Sequence, residues 1–146
     1  MTDWDPPIDG GLSGDRYLSV DIESFVDGDL GDAHAPGVYS LRLSTPDDRD
    51  TVRERWTSWY DVDVPDWIWT AFECGTVLYV GAAANVFDRV TQHLEAPNRT
   101  ASICRVFPVH SVWDVWWFDS AERAFERESG IAMSVANTEG VYVHQR

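Results

Sequence analysis

The run Val112-Trp113-Asp114-Val115-Trp116-Trp117-Phe118 is apolar in both alternating registers, Asp114 being the one exception. Successive strand residues point to opposite faces, so a strand with this pattern has to be covered on both sides. The chain therefore needs a sheet with a layer on each face. Its 146 residues are the size of one domain with a single hydrophobic core. The proportions, 44% hydrophobic and 25% charged, exclude a mainly disordered or collagen-like chain. No run reaches the roughly 20 apolar residues of a membrane-spanning helix. The first residues, MTDWDPPIDG, lack the basic-then-apolar pattern of a signal peptide. Cys74 and Cys104 are too few for a disulfide framework, and no Cys/His spacing suggests zinc. A soluble, cytoplasmic protein is expected.

Residues 1–35, rich in Asp, Gly and Pro, read as an acidic and mostly irregular arm; only Tyr17-Leu18-Ser19-Val20-Asp21-Ile22 alternates as a short strand would. Residues 36–146 read as the folded domain. Pro36-Gly37 introduces a strand over Val38–Leu43. Thr45-Pro46-Asp47-Asp48 has the cap, early proline and acids of a helix start, and Val52, Trp56 and Trp59 follow at helical spacing. Asp63, Pro65 and Asp66 open residues 67–72, whose pattern fits helix or strand. Val77-Leu78-Tyr79-Val80 is a strand ended by Gly81. Residues 84–95 carry Val86, Val90 and Leu94 along one helical face and stop at Pro97. Asp119 and Glu122 resemble a capping box for a further helix, with Ala121, Ala124, Phe125, Ile131, Ala132 and Val135 as its apolar stripe. Val141-Tyr142-Val143 is a candidate last strand after Gly140.

The formal charge is −14, from 25 acidic against 11 basic residues, and every basic residue is arginine. Such a surface repels itself, and the Debye length of about 3 Å at about 1 M salt largely removes that repulsion. Acid excess without lysine resembles the halophilic proteins of salt-loving archaea. An acidic mesophilic protein from a GC-rich genome is the alternative.

Taken in order, Pro36-Gly37-Val38-Tyr39, then Val77-Leu78-Tyr79-Val80-Gly81, then Ala84-Asn85-Val86 with Arg89-Val90 and His93, the chain resembles the GIY-YIG nuclease family over roughly residues 36–136. The resemblance implies an α+β fold: a small three-stranded antiparallel sheet flanked by helices. The family's two tyrosine strands form a short hairpin, so residues 44–76 would be a helical insertion. It also implies a phosphodiesterase site that uses Mg2+ or Mn2+, with DNA before RNA as the partner. Tyr39 and Tyr79 would meet on paired strands. Arg89 and His93, at i and i+4, share one helix face with Asn85 a turn earlier. A guanidinium suits phosphate because it donates two parallel hydrogen bonds. A phenol or imidazole can relay a proton from attacking water, and a carboxylate would hold the ion.

The family places that carboxylate on the helix after the third strand, where Glu126 and Glu128 both stand. At about 100° per residue Glu128 falls inside the apolar stripe, and Glu126 points about 160° away. A carboxylate on an apolar face needs a metal or hydrogen bonds to compensate it, which favours Glu128 as catalytic residue and metal ligand. Each residue also has a plain structural account. The tyrosines are strand-forming aromatics, Arg89 can pair with Asp88 or Glu95, His93 can be half-buried, and Glu128 can satisfy an arginine. Trp56, Trp59, Trp67 and Trp69 of the insertion are either a base-stacking platform or extra core. Asn137 loosely matches a late family asparagine, or caps a helix.

Nucleic-acid binders usually carry a basic stripe. Here Arg49, Arg53 and Arg55, the densest basic group, stand among Asp47, Asp48, Asp50 and Glu54. Two functions follow as expectations: a metal-dependent DNA endonuclease, or a catalytically inactive GIY-YIG-like module that binds nucleic acid or protein.

Overall fold

A computed structural model describes residues 20–21, 34–95, 97–137 and 140–145. Most of the N-terminal arm expected over 1–35 therefore lies outside the described residues. One mixed sheet runs in the order β1-β4-β2-β3-β5. Its strands are β1 (Val20–Asp21), β2 (Gly37–Leu43), β3 (Val77–Ala83), β4 (Val109–Trp117) and β5 (Tyr142–Gln145). Among the described residues five α-helices accompany it: α1 (Arg49–Thr57), α2 (Asp66–Cys74), α3 (Val86–Glu95), α4 (Ser102–Val106) and α5 (Ala121–Ala136). Among the described residues, no helix is long and apolar enough to cross a membrane.

The fold is α+β, as expected, but the sheet is larger than three antiparallel strands. β2 pairs antiparallel with both β3 and β4, and the two-residue β1 adds antiparallel to β4. The correction is β5, which lies parallel to β3. Its direction follows from α5. A helix of 16 residues spans about 24 Å at about 1.5 Å per residue. It returns the chain to the sheet end from which β4 began, so the next strand repeats β4's direction, as helical crossovers do.

The single core expected from length is two clusters, one on each face of the sheet. Tyr39, Leu41, Val77, Tyr79, Val86 and Val90 belong to one; Val38, Leu78, Val80, Trp116, Ala124 and Ile131 belong to the other. The doubly apolar strand makes this possible, since Trp116 joins one cluster and Trp117 the other. Helices α1 to α4 supply the first layer and α5 the second.

Several boundaries differ from the sequence reading. Asp48, not Thr45, caps α1: its carboxylate accepts from the Thr51 N–H at 2.8 Å and the Thr51 hydroxyl at 2.9 Å. The helix stops at Thr57, so Val52 and Trp56 are buried while Trp59 falls beyond the end and is 43% exposed. Residues 67–72 are helical. Ser120, not Asp119, caps α5, accepting from the Arg123 N–H at 3.2 Å. Phe125, placed in the buried stripe by the sequence reading, lies at its margin and is 44% exposed.

Candidate functional site

The strand register brings the two tyrosines together. Tyr39 sits opposite Gly81 and Leu41 opposite Tyr79, so the phenols are diagonal neighbours on one face, with ring centroids 6.4 Å apart. Gly81 is required by this arrangement. A Cβ there would stand 2.6 Å from the Tyr39 Oη, so the phenol lies across the glycine. Gly37 is required for a different reason, because its Cβ would meet the Trp116 carbonyl oxygen at 2.8 Å.

Over these phenols lies α3. Asn85 caps it, its side-chain oxygen accepting from the Asp88 N–H at 3.0 Å, and Val86 and Val90 anchor it in the core. His93 is thereby set against both tyrosines, its ring centroid 5.8 Å from that of Tyr39 and 5.0 Å from that of Tyr79. His93 Nε2 lies 3.0 Å from the Tyr39 hydroxyl, and Nδ1 lies 2.6 Å from Thr100 Oγ1.

Burial decides the protonation states. It pushes the Tyr39 hydroxyl well above the ordinary phenol value, Tyr79 adding to the shift and Arg89 opposing it. It lowers His93 to about 4, with Arg89 contributing in the same direction. A neutral imidazole has one donor and one acceptor. One ring nitrogen therefore donates and the other accepts across these two contacts, with the phenol and the Thr100 hydroxyl able to take either role. Arg89 lies near Tyr39 at one end and Thr100 near Cys104 at the other, whose thiol burial raises to about 12. The result is a polar chain, Tyr39–His93–Thr100, flanked by Arg89 and Cys104, with Arg89 and Thr100 partly exposed.

Two clefts flank this chain. Arg89 lines a cleft of 430 Å³ with Asn85, Asp88, Gln92 and Phe125. His93, Thr100 and Cys104 line another of 260 Å³ with Trp59 and Arg105. Arg89 pairs with neither Asp88 nor Glu95; it donates to Gln92 Oε1 at 2.9 Å and to the Arg99 carbonyl at 3.0 Å.

Four of the five candidate residues, Tyr39, Tyr79, Arg89 and His93, thus converge. Glu128 lines neither cleft. It is 3% exposed on α5, whose buried neighbours Ala124, Ile131 and Ala132 belong to the cluster on the opposite face of the sheet. Glu126 is exposed, as the helical arithmetic requires. Asn137 is the C-cap of α5. Among the described residues no three His, Cys, Asp or Glu side chains converge as metal ligands. Helix α5 nonetheless reaches the Arg89 cleft, since Phe125, one turn before Glu128, lines it.

The sequence reading missed Thr100, Gln92 and His144. His144 sits opposite Tyr79 in the register and stacks between Tyr79 and Trp67, at 6.0 and 5.0 Å. Strand alternation through Tyr142 and His144 carried that signal once β5's partner was known. Thr100 carried none, because it lies outside regular structure. No family model matches the chain, and neither a curated protein nor a solved structure matches it.

Proposed function

We propose that the chain is a GIY-YIG-like domain that holds a nucleic-acid phosphate at the Arg89 cleft without cleaving it. One contrast carries this reading: Arg89 reaches an open cleft, whereas Tyr39 and Tyr79 are 0% exposed and Glu128 3%. A guanidinium at a cleft can take phosphate oxygens directly. A phenol can take a proton from water only where water touches it, and here the phenols are covered by α3 and its neighbours. The net charge of −14 places binding at high salt, where the repulsion is screened.

The test is fluorescence anisotropy with a labelled DNA duplex in molar KCl, alongside plasmid nicking with Mg2+ or Mn2+. The expected result is binding that Arg89→Ala weakens about tenfold or more, on the order of the value of a charge-assisted pair, with no nicking in either ion. Absence of binding at every salt concentration overturns the proposal.

A second reading, the metal-dependent endonuclease hydrolysing DNA phosphodiester bonds, is favoured by the 3.0 Å contact between Tyr39 and His93. A neutral imidazole can accept the phenol's proton as the phenol takes one from attacking water. Nicking that is lost in both Tyr39→Phe and Arg89→Ala would replace the first reading with this one. So would a Mn2+-dependent rise in melting temperature that Glu128→Gln abolishes.

A further inference from the structure

The second cleft has a composition of its own. Trp59 lies beyond the end of α1 and is 43% exposed, whereas Trp56, three residues earlier, is 6% exposed. The Arg105 guanidinium lies over one face of the Trp59 ring, 4.4 Å from its centroid, and donates to the Tyr60 hydroxyl at 2.8 Å. These contacts hold a planar cation on one face of a half-exposed indole, whose other face is the one a base would take. Behind them, in the same cleft, stand His93 and Thr100, the polar groups that line its wall. Its 260 Å³ is near the low end of small-molecule sites, which run from about 300 Å³ upward, and suits one nucleotide-sized group.

We propose that this cleft is a nucleotide subsite in which Trp59 stacks an unpaired base and Arg105 holds the adjoining phosphate. An indole beside a guanidinium selects a ligand that is both flat and anionic, and an unpaired nucleotide has both properties. The subsite rests on the reading of the domain as a nucleic-acid binder and adds to it a preference for single strands. It also addresses the charge problem. Phosphate attraction is lost as salt rises, while stacking on an aromatic face is not a counterion effect. A chain of charge −14 that works in concentrated salt needs contacts of the second kind.

The experiment compares two labelled probes by anisotropy in molar KCl: a short oligo(dA), and an abasic strand of equal length that keeps the phosphates. The wild type is expected to bind oligo(dA) more tightly than the abasic strand. Trp59→Ala should weaken oligo(dA) at least about fivefold, the low end of the value of one stacked base, and leave the abasic strand unchanged. Trp59→Phe should retain most of the preference, and Arg105→Gln should weaken oligo(dA). Equal binding of the two probes by the wild type, or oligo(dA) binding unaltered in Trp59→Ala, overturns the subsite. Arg89→Ala separates this outcome from the broader reading. Sensitivity to Trp59 with indifference to Arg89 keeps the subsite and removes the Arg89 phosphate site; the converse does the reverse. Absence of binding to either probe while the duplex still binds removes the subsite and keeps the Arg89 site; absence of binding to all three removes both.

Discussion

The two faces of the sheet are made by the same strands and differ in where their polar groups lead. Beneath α3 and α4, Tyr39, His93 and Thr100 are joined by hydrogen bonds, and His93, Thr100 and Cys104 line one cleft while Arg89 lines another. Beneath α5 the surroundings are Val38, Leu78, Val80, Trp116, Ala124 and Ile131. On that side Ser40 Oγ is buried without a hydrogen-bond partner, and Glu128 is buried on the helix itself. One step along a strand separates Tyr39 from Val38 and Ser40, and so separates a polar site from an apolar layer. The tyrosine and histidine positions of the resemblance fall on one face, and its glutamate sits on α5, which packs on the other face but reaches the Arg89 cleft through Phe125.

The largest expected effects test whether both faces are core. Tyr79→Ala on the first face and Trp116→Ala on the second should each cost about 3–5 kcal/mol of folding stability, read from guanidinium denaturation in molar KCl. A Tyr79→Ala cost below about 1 kcal/mol, the range of surface substitutions, would mean that the first face opens to solvent and would favour hydrolysis. The next effect belongs to the first face alone. Burial, and then Arg89, hold His93 at about 4 against an ordinary value of 6.5. As pH falls between those values the unfolded chain binds a proton that the folded chain refuses, so stability falls with pH through that window. His93's contribution is complete above about pH 6.5 and the loss approaches roughly 3 kcal/mol near pH 4. His93→Gln should flatten this part of the profile, measured as the difference between wild type and variant at about pH 7 and about pH 4.5.

What could be read from the sequence divides along the same line. The pairing of Tyr39 with Tyr79 and the convergence of Arg89 and His93 follow from local rules: strand alternation, an i,i+4 helix face, and a glycine where the phenol crosses the partner strand. Glu128's burial was legible too, because helical periodicity needs only the helix itself. Which face α5 would cover was not. That depends on how the crossover leaves β4, a matter of packing between elements far apart along the chain, and the same step set the unforeseen parallel direction of β5. Thr100 escaped for a related reason, since its role exists only once His93 is placed beside it. The shift of the α1 cap from Thr45 to Asp48 is a smaller case: both are good caps, and the hydrogen bonds from Thr51 decide between them.

Gly81 offers a sharper probe of the first face. In Gly81→Ala the new methyl would stand 2.6 Å from the Tyr39 Oη and 2.8 Å from Cζ, so the ring has to swing away in a core with no exposure to move into. Overpacking of this kind costs about 1–3 kcal/mol. The displaced phenol should also lose its 3.0 Å contact with His93 Nε2, read as a shift of the imidazole Cε1–H NMR signal. A loss of stability without that shift would mean that the strand, not the ring, absorbs the strain.

The smallest expected effect bears most directly on the contrast between the faces. Arg89 lies with the first layer and Glu128 with the second. Residues without shared partners contribute additively to within about 0.3–0.5 kcal/mol, while members of one network couple by more. A double-mutant cycle with Arg89→Ala and Glu128→Gln, measured by denaturation, should therefore give a coupling no larger than about 0.5 kcal/mol. Repeating the cycle with Mn2+ present makes the measurement decisive between the two functional readings. An ion bridging Glu128 to the phosphate held by Arg89 would create coupling where none existed, in stability and in DNA affinity alike. Additivity in both conditions counts against an ion shared by the two residues and leaves the endonuclease reading without its metal.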